Sequence, residues 1–400
     1  MGTQPRTFAA EPLIVAGVVF LTPVAPALAV RPATLALVAG LLAMALASGA
    51  QLTHPDLAAI TFAVWCVLSI TWARFAELTS LAILLQVAVT LLYLAIRATA
   101  RTASSLRTIA WGYLAGAATS IVVFAYQNGA AIDSWQSRDA GTAERLTVTG
   151  LNANYVAYSL VSGIPLAWYL ARRSGARARA VLMAYSLAAI GVVVLTDSRG
   201  ALVAIGLLIA FAPLSRVGRP RSTTLLKVAL AATITVIAIG WADRSLVAIE
   251  GYFARNSGNL SGRLPAWQVA RAAADDHPYI GLGIGGVPGV AGIEAHNIVL
   301  NLVAGVGVVG LALLMWTTWA ALKDSDRHRA ARGATAMLLV AWAPIVASGF
   351  WEMSVAAWSV LALVSRIPAV EDLHQEPSDD GASATERPAT GPPRPTRPKL

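Results

Sequence analysis

The chain has 400 residues; 56% of them are hydrophobic, 13% are charged, and the mean hydropathy is +0.63. Because a soluble domain carries about 25% charged residues, this composition excludes a soluble globular protein and predicts a membrane protein. The net charge of +9 does not indicate nucleic-acid binding, since the arginines stand in short clusters between apolar runs, which is the pattern of membrane topology signals. The single cysteine, Cys66, excludes a disulfide framework.

Twelve apolar runs follow one another along the chain, and a helix needs roughly 20 such residues to cross a bilayer. They predict an all-α polytopic membrane protein with about twelve transmembrane helices. The first run imitates a cleavable signal peptide, but we expect it to be retained because its loss would leave an odd number of spans. The runs are residues 12–30, 33–50, 57–72, 78–96, 106–127, 151–170, 180–196, 201–214, 225–242, 296–320, 333–350 and 354–366.

The basic residues predict how these spans are oriented. If the N-terminus is cytoplasmic, four cytoplasmic connections hold 15 Lys and Arg, whereas the short connections on the other face hold five. This bias predicts that both termini lie in the cytoplasm. The four connections are residues 97–107, 171–180, 215–227 and 323–332.

The same topology divides the chain into a transmembrane domain, residues 1–366, and a disordered cytoplasmic tail, residues 367–400, which is rich in Pro, Gly, Ser and charge. Within the transmembrane domain, residues 243–295 form a large extracytoplasmic loop of 53 residues. Because the longest loops usually carry function, we expect the working face of the protein to point outward.

Two arginines on the outward face are candidates for anion binding. Arg199 interrupts the long apolar stretch 181–214, so it lies close to the membrane boundary, where a guanidinium needs an anionic partner or a water-filled cavity. Arg263 lies in the cap region of a short helix, with Trp267 about one turn further on. The alternatives are an interfacial arginine in a tight turn for Arg199 and an amphipathic surface helix around Arg263.

The tenth apolar run opens with three groups that hydrocarbon does not tolerate cheaply, Glu294, His296 and Asn297. A neutral imidazole at this point can take a proton from an acceptor hydroxyl, with Glu294 or Asn297 available to orient it. The alternative is that His296 only caps the helix or makes a buried hydrogen bond, and that Glu294 belongs to the hydrated rim of the helix.

Two further patterns suggest ligands less directly. The glycines between residues 281 and 286 do not fit a dinucleotide-binding fingerprint, which needs a strand before it and a soluble βαβ unit around it. We interpret them as flexible backbone near a ligand or as a turn before the membrane. Asp275, Asp276 and His277 are an acid and histidine cluster on the outward face, which leaves a metal site open as an alternative.

An ordered set of motifs resembles those of the O-antigen ligases, within the O-antigen ligase and polymerase superfamily of bacterial membrane glycosyltransferases. The pattern His296-Asn297, nine residues, Gly307-x-x-Gly310 resembles a family motif. The resemblance covers about residues 150–315. The other matching stretches are Gly150-Leu151-Asn152-Ala153-Asn154, Ser198-Arg199-Gly200-Ala201, Gly262-Arg263 with Trp267, and Pro278-Tyr279-Ile280-Gly281-Leu282-Gly283.

The resemblance implies a metal-independent, inverting glycosyltransferase in the bacterial cytoplasmic membrane that needs no cofactor. It would transfer a glycan from an undecaprenyl or other polyprenyl diphosphate carrier to an acceptor hydroxyl on the outer face of the bilayer. The resemblance further implies that Arg199 and Arg263 bind the diphosphate and that His296 is the catalytic base. The supporting residues would be Asn297, Glu294, Trp267, Asn152 and Asn154.

Three alternatives to the ligase interpretation stay open. The acceptor can be a glycan, a glycolipid or a protein, so a polysaccharide polymerase and a protein O-oligosaccharyltransferase fit the same motifs. A transporter or flippase of the lipid-linked glycan would also need outward arginines, although no predicted span carries a charged residue near its centre. A non-catalytic member that keeps the fold would be indicated if His296 were dispensable.

Overall fold

The computed structural model describes residues 10–133, 146–211, 263–349 and 352–375. Within these ranges all regular structure is helical, as predicted. The helices are α1 Ala10–Val24, α2 Pro26–Ala29, α3 Pro32–Ala47, α4 His54–Leu68, α5 Ala76–Thr99, α6 Ala103–Asp133, α7 Ala153–Ala171, α8 Ala176–Thr196, α9 Arg199–Phe211, α10 Arg263–Asp276, α11 Val287–Ala291, α12 Ile298–Leu322, α13 Arg329–Ser348 and α14 Val355–Gln375. Two 3-10 helices, Ser69–Trp72 and Lys323–Arg327, follow α4 and α12.

Six of the described helices are long and apolar enough to cross a membrane: α4 with its 3-10 extension, α5, α6, α8, α12 and α13. Three shorter apolar helices, α1, α3 and α9, accompany them. The ninth predicted span, residues 225–242, lies outside the described residues. The helical membrane fold is therefore confirmed, and the count of twelve spans stays a prediction.

Small residues bring two of the membrane helices into close contact. α1 packs against α6, and a Cβ atom at Gly112 or Gly116 of α6 would overlap the backbone of Ala16 or Phe20 of α1. Membrane helices associate through such close packing, because lipid tails are as apolar as the side chains that they replace.

Helix α12 is interrupted at Gly307, whose φ of 73° and ψ of 179° are not helical. The segment Pro278–Leu282 lies against the interruption and replaces part of the helical hydrogen bonding. The Val308 N–H donates to the Pro278 carbonyl (2.8 Å), and the Leu282 N–H donates to the Ala304 carbonyl (2.8 Å). A side chain at position 307 would overlap the Tyr279 carbonyl. The close contact between the Tyr279 backbone and α12 therefore requires glycine at this position of the motif.

Helix α5 joins the two ends of the helix bundle. Near its start, Thr79 and Ala82 contact the glycine turn at residues 283–285, and near its end Arg97 binds Asp56. The 18 residues from Thr79 to Arg97 correspond to about 27 Å at 1.5 Å per residue. We call the first end, which also contains His296, the histidine end, and the second end, which also contains Arg101 and Arg366, the arginine end.

Three of the four basic connections that we predicted to be cytoplasmic lie at the arginine end. The end of α14 contacts the end of α7 through an ion pair between Glu371 and Arg173, and it contacts the start of α13 through Asp372 and His328. Residues 97–107, 171–180 and 323–332 therefore lie at this end. The fourth predicted basic connection, residues 215–227, lies outside the described residues.

The structure describes part of the predicted C-terminal tail and part of the predicted large loop. Helix α14 continues to Gln375, so residues 367–375, which we assigned to a disordered tail, are helical; the rest of that tail, 376–400, lies outside the described residues. In the predicted loop 243–295, residues 263–295 contain α10 and α11, and residues 243–262 lie outside the described part.

Candidate functional site

Arg199 begins α9 directly after a sharp turn that ends α8. Asp197 forms the turn with a left-handed backbone, φ 50° and ψ 39°, and a left-handed conformation in a residue other than glycine costs stability. Arg199 is half-buried, and among the described residues its guanidinium has neither an ion pair nor a hydrogen-bond partner. Within the described residues, this charge is thus held at a helix boundary with its hydrogen-bonding capacity unused.

Asn152 and Asn154 fix this turn to the start of α7. Asn152 is the N-cap of α7, and its side chain accepts a hydrogen bond from the Asn154 N–H at 2.8 Å. The Asn154 side chain in turn accepts a hydrogen bond from the buried Ser198 hydroxyl at 2.9 Å. The two asparagines that the family motif singles out therefore position the residue next to Arg199, which is a structural role.

His296 has a left-handed backbone as well, with φ 51°. In the described part of the chain, Asp197 and His296 are the two residues other than glycine with positive φ. Asn297 caps α12, because its side-chain oxygen accepts a hydrogen bond from the Leu300 N–H at 3.1 Å. Helix α12 therefore begins two residues after His296, so the half-buried imidazole lies on a turn and not on a helix face.

The peptide group before His296 is held from both sides. The Ala295 N–H donates to the Asn301 side-chain oxygen at 3.2 Å. The Trp267 indole N–H of α10 donates to the Ala295 carbonyl at 2.5 Å. These two contacts act on the residue next to His296, and they explain how the surrounding structure maintains its strained backbone.

Arg263 is the first residue of α10, one helical turn before Trp267. Its backbone therefore lies about 6 Å along the helix axis from the tryptophan that contacts the His296 segment. The Arg263 side chain lies outside the described part of the structure. The predicted position of Arg263 at the start of a short helix is correct, and its predicted contact with a diphosphate stays a prediction.

Glu294 and Glu352 form a pair of carboxyl groups around Asn301. The Asn301 side-chain amide donates to Glu352 Oε1 at 3.2 Å, and its amide also hydrogen-bonds Glu294. Glu352 lies in the connection between α13 and α14 and is 6% exposed. Both residues line a small cavity of about 10 Å³, roughly enough for one water molecule.

Burial changes the protonation of this pair. It raises the pKa of Glu294 to about 7, because a charged carboxylate loses hydration there. Burial also raises the pKa of Glu352 to about 8, and the neighbouring Glu294 charge adds to that rise. At neutral pH the pair therefore holds at least one proton.

Helix α7 connects the Arg199 turn to the carboxyl pair. Asn154 at its start contacts Ser198, and the hydroxyl of the next residue, Tyr155, hydrogen-bonds Ser354, two residues after Glu352. Arg199 and the His296 segment therefore lie at the same end of the bundle, and α7 links the turn beside Arg199 to the connection that holds Glu352.

Glu352 and Asn301 were not among the predicted site residues. Asn301 lies four residues beyond Asn297, inside an apolar run, and Glu352 lies 56 residues after His296 in a connection without a motif. A signal was nevertheless present, because Glu352 is an isolated acidic residue between two apolar spans, on the face that the topology predicts to carry function.

The possible metal ligands are spread out in the described part of the chain. No group of three or more His, Cys, Asp and Glu side chains lies close enough there to hold a metal ion. Asp275 and Asp276 end α10, and His277 follows them. Asp275 faces Arg271 at 4.0 Å on an exposed surface, so this cluster is explained as the solvated end of a helix.

Comparison with known proteins agrees with the motifs. The family described as O-Antigen ligase matches residues 184–315, a range that contains the Arg199 turn, α10 and most of the interrupted helix α12. No curated protein matches the chain. Residues 184–315 are therefore similar to the O-antigen ligase family, which confirms the resemblance that the motifs indicated.

Proposed function

We propose that this protein is a membrane glycosyltransferase that moves a glycan from a polyprenyl diphosphate carrier to an acceptor hydroxyl at the histidine end of the bundle. One observation supports the proposal: the two strained residues, Asp197 and His296, lie at the same end of the bundle, and Asp197 is two residues before Arg199. Strained backbone of this kind clusters at catalytic and ligand-binding sites.

In the proposed reaction, His296 takes the proton of the acceptor hydroxyl as the acceptor oxygen attacks the anomeric carbon of the glycan. The bond from that carbon to the diphosphate oxygen breaks, and the polyprenyl diphosphate leaves with the bonding electrons. Attack from the side opposite the leaving group inverts the anomeric centre. The step needs a base at the hydroxyl and neutralisation of the charge that develops on the diphosphate.

Arg199 and Arg263 supply that neutralisation in this proposal. The guanidinium group is planar and binds two phosphate oxygens at once, so two arginines can stabilise a leaving diphosphate without a metal ion. The absence of a partner for the Arg199 guanidinium among the described residues supports this role of Arg199. Arg263 enters through its position on α10, whose Trp267 contacts the His296 segment.

Reconstitution into liposomes with a polyprenyl diphosphate glycan and EDTA tests the proposal. Replacing His296 with alanine should lower the rate of transfer by about 10²–10⁴-fold, the usual contribution of a general base, and leave donor binding unchanged. His277→Ala is the matched control, because His277 is exposed after α10, and it should keep the parent rate. Undiminished transfer by His296→Ala would refute the role of His296 as base, and loss of parent activity with EDTA would refute a metal-free reaction.

Arg199→Lys tests the diphosphate site separately, since lysine keeps the charge and loses the planar fork. We expect donor affinity to fall about tenfold or more, whereas Arg177→Lys, at the exposed opposite end of α8, should bind donor as the parent does. Equal affinity in both variants would assign Arg199 a structural role.

The choice of acceptor distinguishes the remaining functions. A lipid-linked or free glycan, a glycolipid and a protein should be offered in parallel, because ligase, polymerase and protein glycosylation share the donor chemistry. Movement of the carrier lipid across the liposome membrane without product would identify a flippase instead.

A further inference from the structure

A second polar cavity lies at the arginine end of the bundle, remote from His296. It has a volume of about 240 Å³ and opens to the surface between the end of α3, the start of α4, the end of α5 and α14. Its charged lining consists of Asp56, Arg97, Arg101 and Arg366, and its apolar lining includes Leu46, Leu52 and Leu94.

Asp56 is fully used by two of its neighbours. One carboxylate oxygen accepts a hydrogen bond from Arg97 Nε at 2.6 Å, and the other accepts from the backbone N–H and the hydroxyl of Thr53 at 2.8 and 2.5 Å. Arg97 also donates to the hydroxyls of Ser365 and Thr53, at 2.5 and 2.8 Å. This buried pair is therefore complete without any further ligand.

The other two arginines of the cavity have neutral partners in the described part of the chain. Arg101 donates to the carbonyl oxygens of Ala98 and Ala45 at 2.6 and 2.8 Å. Arg366 donates through Nε to the Ala100 carbonyl at 3.0 Å. Among the described residues, at least one terminal nitrogen of Arg101 and both terminal nitrogens of Arg366 have no acceptor.

The charges of the cavity are unbalanced as a result. Arg366 lies close enough to Arg97 and Arg101 for the three positive charges to repel one another, and among the described residues Asp56 is the carboxylate that opposes them. Arginine stays protonated at any physiological pH, so the described lining of the cavity carries two excess positive charges. Half-buried guanidinium groups at the end of membrane helices need an anionic partner.

We propose that this cavity binds the phosphate of an anionic phospholipid headgroup through Arg101 and Arg366. Guanidinium groups bind phosphate oxygens in a bidentate manner, and basic pockets between membrane helices bind anionic headgroups. The leucines of the lining give the cavity an apolar wall, which suits the first carbons of the acyl chains. This site is about 27 Å along α5 from the histidine end and is independent of the proposed transfer reaction.

The test uses the full chain in neutral detergent with a phosphatidylglycerol, a phosphatidylcholine of the same acyl chains, and inorganic phosphate as separate probes. Binding is measured by native mass spectrometry and by thermal unfolding. Phosphatidylglycerol should bind about tenfold or more tightly than phosphatidylcholine and should raise the unfolding temperature. Equal binding of the two lipids would overturn the proposal, and inorganic phosphate that displaces phosphatidylglycerol at equal concentration would overturn the assignment to a lipid.

The double variant Arg101→Gln/Arg366→Gln removes the available donors and keeps the Arg97 and Asp56 pair. We expect it to lose the preference for phosphatidylglycerol. Arg107→Gln is the matched control, because Arg107 also donates to a backbone carbonyl, that of Ala103 at 3.1 Å, but is exposed and outside the cavity. Retained preference in the double variant would overturn the site.

If the double variant does not fold, Arg101→Lys and Arg366→Lys give the same test. Each keeps the charge and loses the planar fork, so each should weaken binding of phosphatidylglycerol, whereas Arg107→Lys should leave it unchanged. Binding as tight as that of the parent in both lysine variants would refute the proposal.

Discussion

The two ends of the helix bundle use their polar residues in different ways. At the arginine end, two ion pairs join Arg97 to Asp56 and Arg173 to Glu371, and His328 hydrogen-bonds Asp372. At the histidine end, two carboxyl groups lie beside each other and hold a proton, and two residues have strained backbones. The comparison shows that ion pairs stabilise the fold at one end. The other end holds backbone conformations that lower stability and are typical of ligand-binding and catalytic sites.

Gly307→Ala should have the largest effect, because it acts on the contact that supports the histidine end. The side chain would need a positive φ and would overlap the Tyr279 carbonyl. We expect a loss of more than about 3 kcal/mol in the free energy of unfolding, measured as absence of a monodisperse protein in detergent. Gly191→Ala, where α8 has open space, should be neutral or slightly stabilising. A Gly307→Ala protein as stable as the parent would contradict the interrupted helix.

Arg97→Leu should destabilise the arginine end by roughly 3–5 kcal/mol, because it leaves the Asp56 carboxylate buried without its partner. The double variant Asp56→Leu/Arg97→Leu should recover much of that loss. Any folded fraction should retain the parent rate of glycan transfer, because the pair is about 27 Å along α5 from the histidine end. A transfer rate that falls further than the folded fraction would contradict the separation of the two ends.

Glu352→Gln should change how stability depends on pH. The pKa of Glu352 is raised from 4.5 to about 8 in the folded protein, so folding favours the protonated group. The parent should therefore lose stability as the pH rises from about 5 to 8, by up to roughly 3 kcal/mol, and glutamine should not incur that loss. Thermal unfolding curves should coincide near pH 5 and separate towards pH 8, with the variant more stable. Parallel curves would contradict the protonated pair.

Trp267→Phe should have the smallest effect, since it removes a single hydrogen bond to the Ala295 carbonyl. A loss of about 1 kcal/mol in the positioning of His296 corresponds to a rate of glycan transfer about fivefold lower, with donor affinity unchanged. Trp319→Phe, at the exposed arginine end of α12, should leave both quantities unchanged. Weaker donor binding in Trp267→Phe would mean that the indole contacts the donor and does not act through His296.

Sequence periodicity and hydropathy predicted most of the helices because a membrane span needs a long apolar run. The same rule ended the last predicted span at residue 366, whereas α14 continues to Gln375. The last turns of α14 carry polar residues that pair with α7 and α13 instead of facing lipid. The interruption of α12 was not predictable from composition, because Gly307 stands in an uninterrupted apolar run. Its cause is a contact with Tyr279, which is close in space only after folding.

The candidate site was predictable where the sequence had a motif and not where it depended on a distant partner. His296 and Arg199 stood out as polar groups at the edges of apolar runs. Glu352 acquires its properties from burial and from Glu294, which is 58 residues away in sequence. Likewise, the cavity of the arginine end joins Arg101 to Arg366 across most of the chain, and no spacing rule connects two such residues.

The contact between Trp65 and the interrupted helix has a consequence for how the protein is made. The Trp65 indole donates to the Val306 carbonyl across 241 residues of sequence. At a synthesis rate of about 5–20 residues per second, roughly 10–50 s pass between the appearance of the two residues. During that interval α4 is in the membrane without its partner, so the insertion machinery or lipid must cover it until α12 arrives. The histidine end is therefore assembled late in biosynthesis.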